Sequence, residues 1–329
     1  MARKPPALGV VESLSAGFES VNRIVWVLLF PLVLDLFLWL GPQLSIAPLV
    51  QRALDWYSEN AGGTLAEATA QSGGDDPVRL FLEGMSGDFN LFRLLVSSFA
   101  SIPSAVTGPL TGFSSVTHID SVPLMAVLVA AFEVLGVLLG CLYLGTIAQQ
   151  VRDGRVDLSR LGRRVWRYWL GVLGCAAVLL ALGLGAGIAS SILIVAASLI
   201  SPQLGMALAL ALMMVWWGAL FVVLLFTFFV VDAVVISEVG PWKAFTNSIT
   251  VVSRNFGASV GLILLLWVIG GGTRVIWDAL PNQTWGTLAA ILMNAYIGSG
   301  AAAASLLFYQ SRLAQVKQMT ERGASRVIS

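Results

Sequence analysis

Residues 206–231 read MALALALMMVWWGALFVVLLFTFFVV. This run carries no charged side chain, and it exceeds the about 20 residues that a helix needs to cross a bilayer core about 30 Å thick. Lipid offers no partner to a peptide N–H or C=O, so a run of this kind crosses a membrane as a helix that satisfies its own backbone. The stretch therefore predicts a transmembrane helix and decides the fold class.

Five further stretches share this length and apolar character, at residues 24–40, 122–148, 168–200, 256–280 and 287–309. Hydrophobic types make up 57% of the 329 residues and charged types 11%, whereas a soluble domain carries about 25% charged residues. The first stretch contains Asp35 and lacks a small-residue cleavage site, so it is interpreted as an uncleaved helix and not as a signal peptide. The sequence predicts an all-α, polytopic membrane helix bundle of about six transmembrane helices, forming one membrane domain over residues 1–329.

Basic residues orient this predicted bundle, because Lys and Arg collect in cytoplasmic loops. They occur before the first predicted helix, in the connections 150–167 and 237–255, and after the last helix. All four segments lie on one side if six helices alternate, and the loop 42–121 on the other side is acidic. The sequence therefore predicts cytoplasmic amino and carboxyl termini, an extracytoplasmic acidic loop, and a location in the bacterial cytoplasmic membrane.

Both basic connections have the periodicity of amphipathic helices. In 237–255 the break Gly240-Pro241 precedes apolar residues at spacings of three and four, namely Trp242, Phe245, Ile249, Val252 and Phe256. The connection 150–167 is rich in arginine, and its candidate contacts for anionic lipid are Arg155, Arg160, Arg163, Arg164 and Arg167. Setting the topology of the chain is the alternative role for these arginines.

Charged residues within predicted spans are candidates for function, because a charge in the bilayer is costly. Asp35 and Glu133 lie in helices of opposite direction, so at a common depth they could share a proton or bind a cation; separate hydrogen bonds are the alternative. Arg274 and Asp278 are four residues apart, a spacing that favours an ion pair, and anion binding by Arg274 is the alternative. Asn294 gives the last predicted helix a polar position.

A second candidate cluster lies at the cytoplasmic end of the fourth predicted helix and comprises Asp232, Glu238, Lys243 and Arg254. One interpretation is structural, in that these charges hold the connection 237–255 against the bundle. The other is catalysis on a lipid by Asp232 and Glu238.

Several classes of function lack their characteristic residues. The two cysteines lie in apolar runs without CxxC spacing and the chain has one histidine, so the sequence predicts no metal or cofactor site, and no Ser-His-Asp triad unless His118 supplies its histidine. A net charge of +1 and the lack of a basic tail give no prediction of nucleic-acid binding. The glycine patterns Gly183–Gly187 and Gly257–Gly261 favour close helix packing, within the chain, in a homo-oligomer or with a membrane partner.

One further pattern occurs where the fourth predicted helix leads into the fifth. It consists of Val230-Val-Asp-Ala-Val-Val-Ile-Ser-Glu-Val-Gly, followed by Ala244, Ser248 and Arg254-Asn255-Phe256. Over about residues 206–275 the chain resembles the membrane domain of bacterial glycerophosphodiester phosphodiesterases and related uncharacterised multi-helix membrane proteins. The resemblance implies membrane integration. It implies no phosphodiesterase activity, since that chemistry belongs to a separate barrel with paired His and Glu residues.

Three functions follow from these observations as hypotheses. The first is a non-enzymatic accessory or lipid-associated membrane component with membrane lipids as partners. The second is a transporter or permease for a small solute that uses Asp35, Glu133 or Arg274. The third is a lipid-modifying enzyme that uses Asp232 and Glu238.

Overall fold

A computed structural model describes residues 8–60, 79–80, 82–84, 89–106, 115–279 and 284–328. The described chain is mostly α-helical and contains two strands of three residues each. Five of its helices are long and apolar enough to cross a membrane, and a sixth candidate consists of two segments, Val10–Asn22 and Val25–Leu40, bent by 93° at a short break. The predicted polytopic helix bundle is confirmed.

The helices and strands follow one another along the chain with short breaks. The first helices are α1 (Val10–Asn22), α2 (Leu29–Leu40), α3 (Ala47–Asn60) and α4 (Leu94–Ser97), with 3-10 turns at Val25–Leu28 and Leu91–Arg93. The long helices are α5 (Val122–Asp153), α6 (Leu158–Ile200), α7 (Pro202–Thr227), α10 (Phe256–Ala279) and α11 (Thr284–Ile328). Between them lie α8 (Val230–Ser237) and α9 (Pro241–Arg254), and strands β1 (Gln43–Ser45) and β2 (Val116–His118) pair in parallel.

Several helices extend beyond the spans that hydropathy predicts. Helix α6 has 43 residues and α11 has 45, whereas the sequence predicts spans at 168–200 and 287–309. An apolar run ends where charged residues begin, but the helix that contains it continues as long as its backbone hydrogen bonds are made. The same holds for α5, which continues to Asp153.

The predicted connection 150–167 is consequently reduced to a four-residue turn, 154–157. Gly154 ends α5 with a φ of +68°, a left-handed conformation that glycine adopts without a steric penalty. Asp157 begins α6, because its carboxylate accepts hydrogen bonds from the backbone N–H groups of Ser159 and Arg160 at 3.0 and 3.1 Å. The arginines after Asp157 therefore lie on a regular helix.

The chain divides into two compact units. The first comprises α1, residues 141–276 and α11 from Ile297 onward. Within it α1 crosses α11 at Gly17, where a Cβ atom would lie 2.6 Å from the carbonyl oxygen of Gly300 and 2.7 Å from the amide nitrogen of Ala304. Only glycine at position 17 permits this backbone contact. The interior of the unit is filled by large buried side chains, including Tyr143, Tyr168, Phe229, Phe308 and Tyr309.

The second unit comprises residues 28–140 and 277–296, as far as they are described. One of its apolar clusters joins α2 to α11 through Leu38, Trp39, Val96, Val106 and Ile291. The other lies beside β1 and contains Ile46, Val50, Leu91 and Ile119. This unit contains the described part of the predicted acidic loop.

Helix α9, which occupies most of the predicted connection 237–255, packs against α7 and α8. Its buried face consists of small residues, Ala244, Ser248, Val251 and Val252, and the Ser248 hydroxyl donates to the carbonyl of Phe226 at 2.7 Å. Most of the predicted apolar stripe faces outward, since Trp242 is 79% exposed and Ile249 and Phe256 are also exposed. Small side chains allow α9 to approach the bundle more closely than the large ones could.

Candidate functional site

Glu238 has an unusual backbone conformation at the point where α8 ends. Its φ of 53° and ψ of 38° are left-handed, and no other non-glycine residue in the described ranges has a positive φ. Helices commonly place glycine at this position, since the left-handed conformation costs another residue about 1–2 kcal/mol. A glutamate persists there only if its side chain gains enough to offset that cost.

The Glu238 carboxylate gains three hydrogen bonds, all at its Oε1 atom. Arg152 Nη1 donates at 2.6 Å and the Tyr168 hydroxyl at 2.8 Å, and Arg164 Nη1 donates as well. Arg152 comes from the last turn of α5, and the other two come from the first turns of α6. One carboxylate therefore fixes the turn between α8 and α9 to two long helices.

The ion pairs extend beyond Glu238. Arg152 makes a two-pronged contact with Asp153 at 3.0 and 3.1 Å, and Arg160 lies 3.4 Å from the same carboxylate. We call these six residues the Glu238 cluster: Glu238, Arg152, Asp153, Arg160, Arg164 and Tyr168. It contains three guanidinium groups and two carboxylates, so its charges nearly balance.

Glu238 is ionised at neutral pH. Burial raises the pKa of its carboxyl, but the hydrogen bonds from Tyr168 and Arg152 and the charges of Arg152 and Arg164 outweigh burial and lower it. A carboxylate held in this way is a poor general acid or base near pH 7, because its proton affinity is too low.

The predicted cytoplasmic polar cluster is distributed over separate places. Asp232 is buried and accepts a hydrogen bond from Ser305 at 2.5 Å, while Glu238 belongs to the cluster defined above. Lys243 and Arg254 are exposed on α9, and neither side chain makes a hydrogen bond or ion pair to another described residue. The sequence did not indicate Arg152 or Tyr168 as partners of Glu238, because those contacts span 86 and 70 positions.

Further buried polar contacts tie α8 and α9 to α11. The Tyr309 hydroxyl lies 3.1 Å from that of Ser237 and accepts from Asn247 at 3.4 Å. Elsewhere in the same unit, the Tyr143 hydroxyl donates to Ser299 at 2.8 Å. These bonds satisfy polar groups that would be costly to bury alone.

In the second unit, Asp35 is fully buried and anchors the segment after α4. It accepts a hydrogen bond from the Ser104 hydroxyl and one from the Ala105 backbone N–H at 2.9 Å. Glu133 is half-buried on α5 and makes no hydrogen bond or ion pair within the described part of the chain. Nowhere in that part do three His, Cys, Asp or Glu side chains meet in an arrangement that could hold a metal ion.

The remaining predicted intramembrane residues are Arg274, Asp278 and Asn294. Arg274 is exposed on α10, and Asn294 is half-buried on α11. Neither makes a hydrogen bond or ion pair to a residue that the structure describes. The side chain of Asp278 lies outside the described residues, so the predicted Arg274–Asp278 ion pair stays a prediction.

The five predicted lipid-contacting arginines separate into two groups. Arg160 and Arg164 belong to the Glu238 cluster. The others, Arg155, Arg163 and Arg167, are exposed and make no hydrogen bond or ion pair across the described ranges. Arg163 and Arg167 share one side of α6 with Trp166 and Leu170, which are 57% and 53% exposed; we call these four residues the Arg163 face.

One carboxylate acts on the Arg163 face from nearby. Asp157 at the start of α6 has its pKa lowered, first by the backbone N–H of Arg160 and the Ser159 hydroxyl, and also by the charge of Arg163. It remains committed to capping the helix. The Arg163 face therefore keeps a net positive charge.

Beyond these turns, α6 and α7 form a hairpin that is exposed on nearly all sides. None of the residues in the most apolar stretch of α6 is buried. A Cβ atom added at Gly183, Gly185 or Gly187 would meet nothing within 4 Å. The close packing predicted from these glycines is therefore not made by the described part of this chain.

Most of these features lie in a range of the chain that a family model matches. A family model described as a domain of unknown function, DUF7847, matches residues 91–311. The chain belongs to the DUF7847 family. The matched range includes the Glu238 cluster and the Arg163 face of this DUF7847 chain and leaves Asp35 outside it. No curated protein and no solved structure matches the chain, so the resemblance to the phosphodiesterase membrane domain stays a prediction.

Proposed function

We propose that this DUF7847 protein is a non-enzymatic accessory or lipid-associated component of the bacterial cytoplasmic membrane, acting through the surfaces it presents to lipid and neighbouring proteins. The observation that carries the proposal is the commitment of its carboxylates. Glu238 is held by Arg152, Arg164 and Tyr168, Asp232 by Ser305, and Asp35 by Ser104 and Ala105. These contacts stabilise the fold, and the ionised Glu238 carboxylate in particular is a poor general acid or base near pH 7.

Two functional surfaces remain after those commitments. The Arg163 face is positive and exposed, which favours anionic lipid as a partner. The α6–α7 hairpin is apolar and exposed, with open glycines at Gly183 and Gly187, which favours lipid, a second copy or another membrane helix around it. We propose that the protein acts through these two surfaces by binding lipid or another membrane helix.

The proposed orientation places both termini, the Glu238 cluster and α9 on the cytoplasmic side. A membrane-impermeant maleimide tests it in spheroplasts, with Cys141 and Cys175 replaced by Ala. We expect Thr117→Cys to be labelled in intact spheroplasts and Ser253→Cys only after lysis, because both positions are exposed and the proposed orientation puts them on opposite sides of the membrane. The reverse pattern would overturn the orientation.

The non-enzymatic assignment is tested with purified protein in liposomes of bacterial polar lipids. Thin-layer chromatography of labelled lipids measures headgroup release and acyl transfer, with protein-free liposomes as the control. We expect no turnover above that control. Lipid turnover that is abolished by Asp232→Asn, in a variant with unchanged thermal stability, would replace the proposal with the lipid-modifying enzyme.

One observation favours a small-solute permease as the second candidate. Glu133 lies in a membrane-spanning helix without a hydrogen-bonding partner among the described residues, and such carboxylates often serve ion or proton pathways. The same liposomes, loaded with a pH-sensitive dye, measure proton-coupled flux. Flux that is lost in Glu133→Gln and retained in Asp35→Asn would establish this candidate, and flux equal to protein-free liposomes would remove it.

A further inference from the structure

We propose that the Arg163 face is a binding site for the phosphate of an anionic phospholipid, with Arg163 and Arg167 as its cationic contacts. The inference rests on the proposed function, because it names the lipid partner of a surface that the proposal assigns to lipid. Only these two of the five arginines between Arg155 and Arg167 form the site, which binds one discrete lipid.

The spacing of the two arginines suits one phosphate. Residues four apart in a helix lie about 5–6 Å from each other on the same side, so both guanidinium groups can reach a single headgroup. Each guanidinium presents a planar fork of donors that matches phosphate oxygens. Arg163 and Arg167 are exposed, and neither makes an ion pair with any described carboxylate.

The neighbouring arginines are not available in the same way. Arg164 is bonded to Glu238, and Arg160 lies 3.4 Å from Asp153. Asp157 weakens the positive potential near Arg163, but its carboxylate caps α6. Arg167 lies one turn further from that carboxylate than Arg163 does, and its charge is not among those that lower the pKa of Asp157.

The position along α6 suits the headgroup level of a bilayer. Trp166 is on the same side, 57% exposed, and its ring lies 4.5 Å from that of Trp169. Leu170 follows one turn later, and the exposed surface of α6 beyond it is apolar. Tryptophan is enriched where hydrocarbon meets headgroups, and arginine side chains extend from that level towards phosphate.

A matched pair of cations provides the control. Lys243 and Arg254 are also exposed and without an ion pair in the described chain. Replacing both by Gln therefore removes the same two positive charges as replacing Arg163 and Arg167. They are eleven positions apart on α9, about 16 Å along the axis, which is too far for one phosphate. General attraction to an anionic surface would depend on both pairs equally.

The experiment measures lipid binding to the full chain in neutral detergent by native mass spectrometry. The probes are phosphatidylglycerol and phosphatidylcholine, with inorganic phosphate as a competitor. We expect one retained phosphatidylglycerol in preference to phosphatidylcholine. We expect about tenfold weaker binding in the double variant Arg163→Gln/Arg167→Gln, and less than about twofold weakening in Lys243→Gln/Arg254→Gln. The charge-preserving variant Arg163→Lys/Arg167→Lys should fall between wild type and the glutamine variant, since Lys lacks the fork.

Three outcomes would overturn the inference. Equal losses in the two glutamine variants would assign binding to overall charge, and equal retention of the two lipids would remove the preference for an anionic headgroup. Displacement of phosphatidylglycerol by millimolar inorganic phosphate would assign the site to a free phosphate. None of these outcomes touches the proposed function, which instead fails if the liposomes show lipid turnover or solute flux.

Discussion

Arg163 and Arg164 are neighbours on α6 with opposite environments. Arg164 reaches the Glu238 carboxylate and is about two-thirds buried, with 30% of its side chain exposed. Arg163 is exposed and makes no ion pair to a described residue. One step along a helix turns a side chain by about 100°, so that rotation alone decides which arginine holds the fold together and which faces the surroundings.

A run of like charges on one helix is therefore not one functional unit. Five arginines between Arg155 and Arg167 give the segment its basic character. Two of them neutralise carboxylates of the Glu238 cluster, and the other three are exposed. Arg160 and Arg164, which pair with carboxylates, alternate along the sequence with the exposed Arg163 and Arg167. Only the rotation about the α6 axis separates the two pairs.

Loss of the Glu238 carboxylate should destabilise the fold more than loss of either arginine. Replacing Glu238 by Ala leaves Arg152 and Arg164 partly buried without their shared anion and keeps a left-handed non-glycine backbone. Losing one partner of a fully buried pair costs about 3–5 kcal/mol. Since these side chains are 19–30% exposed, we expect a loss of about 2–3 kcal/mol, measured by denaturant unfolding in detergent.

Glu238→Gly is the matched control for that variant, because it removes the same carboxylate but relieves the left-handed backbone. We expect it to recover about 1 kcal/mol relative to Glu238→Ala. Equal stabilities of wild type and Glu238→Ala would contradict the anchoring role of the carboxylate.

Replacing Arg164 should destabilise the fold somewhat less than replacing Glu238. Arg164→Gln removes one of three donors to Glu238 while Arg152 and Tyr168 remain. A hydrogen bond to a charged group contributes about 1.5–3 kcal/mol, and partial exposure places this one at about 1.5 kcal/mol. The free energy of unfolding is measured from the same denaturant curves. A loss as small as that caused by replacing an exposed arginine would show that the Arg164–Glu238 contact does not stabilise the fold.

The fold class was predictable because apolar runs and their lengths are local properties. Every predicted span coincides at least in part with an observed helix, and residues 206–231 fall almost entirely in α7 and α8. The helix ends were less predictable. Hydropathy marks where lipid ends, whereas the end of α5 depends on Gly154 and the start of α6 on the Asp157 cap.

The candidate site was only partly predictable for a different reason. Glu238 could be selected as a charge beside a span, but its partners Arg152 and Tyr168 come from distant helices, and no sequence period connects them. The break Gly240-Pro241 suggested where the chain turns. The left-handed residue, however, is Glu238 and not the nearby glycine, because three donors compensate a conformation that local preference disfavours.

The stability that Glu238 contributes should also depend on pH. The folded state lowers the pKa of Glu238, so its contribution is fully present above about 4.3, the ordinary glutamate pKa. It is lost as the pH falls through the lower folded pKa. We expect the stability difference between wild type and Glu238→Gln to be constant from pH 7 to about 5 and to shrink below that. A difference that shrinks instead as the pH rises above 7 would contradict an ionised, anchored Glu238.

The smallest expected effect belongs to Arg163. Exposed substitutions away from caps and buried networks usually change stability by less than about 0.5 kcal/mol, so Arg163→Gln should unfold with the wild-type curve while Arg164→Gln does not. The two variants differ by one position and carry the same charge change, which removes net charge as an explanation. If Arg163→Gln were as unstable as Arg164→Gln, the arginines would act as one electrostatic unit, and the division between structural and exposed arginines on α6 would fail.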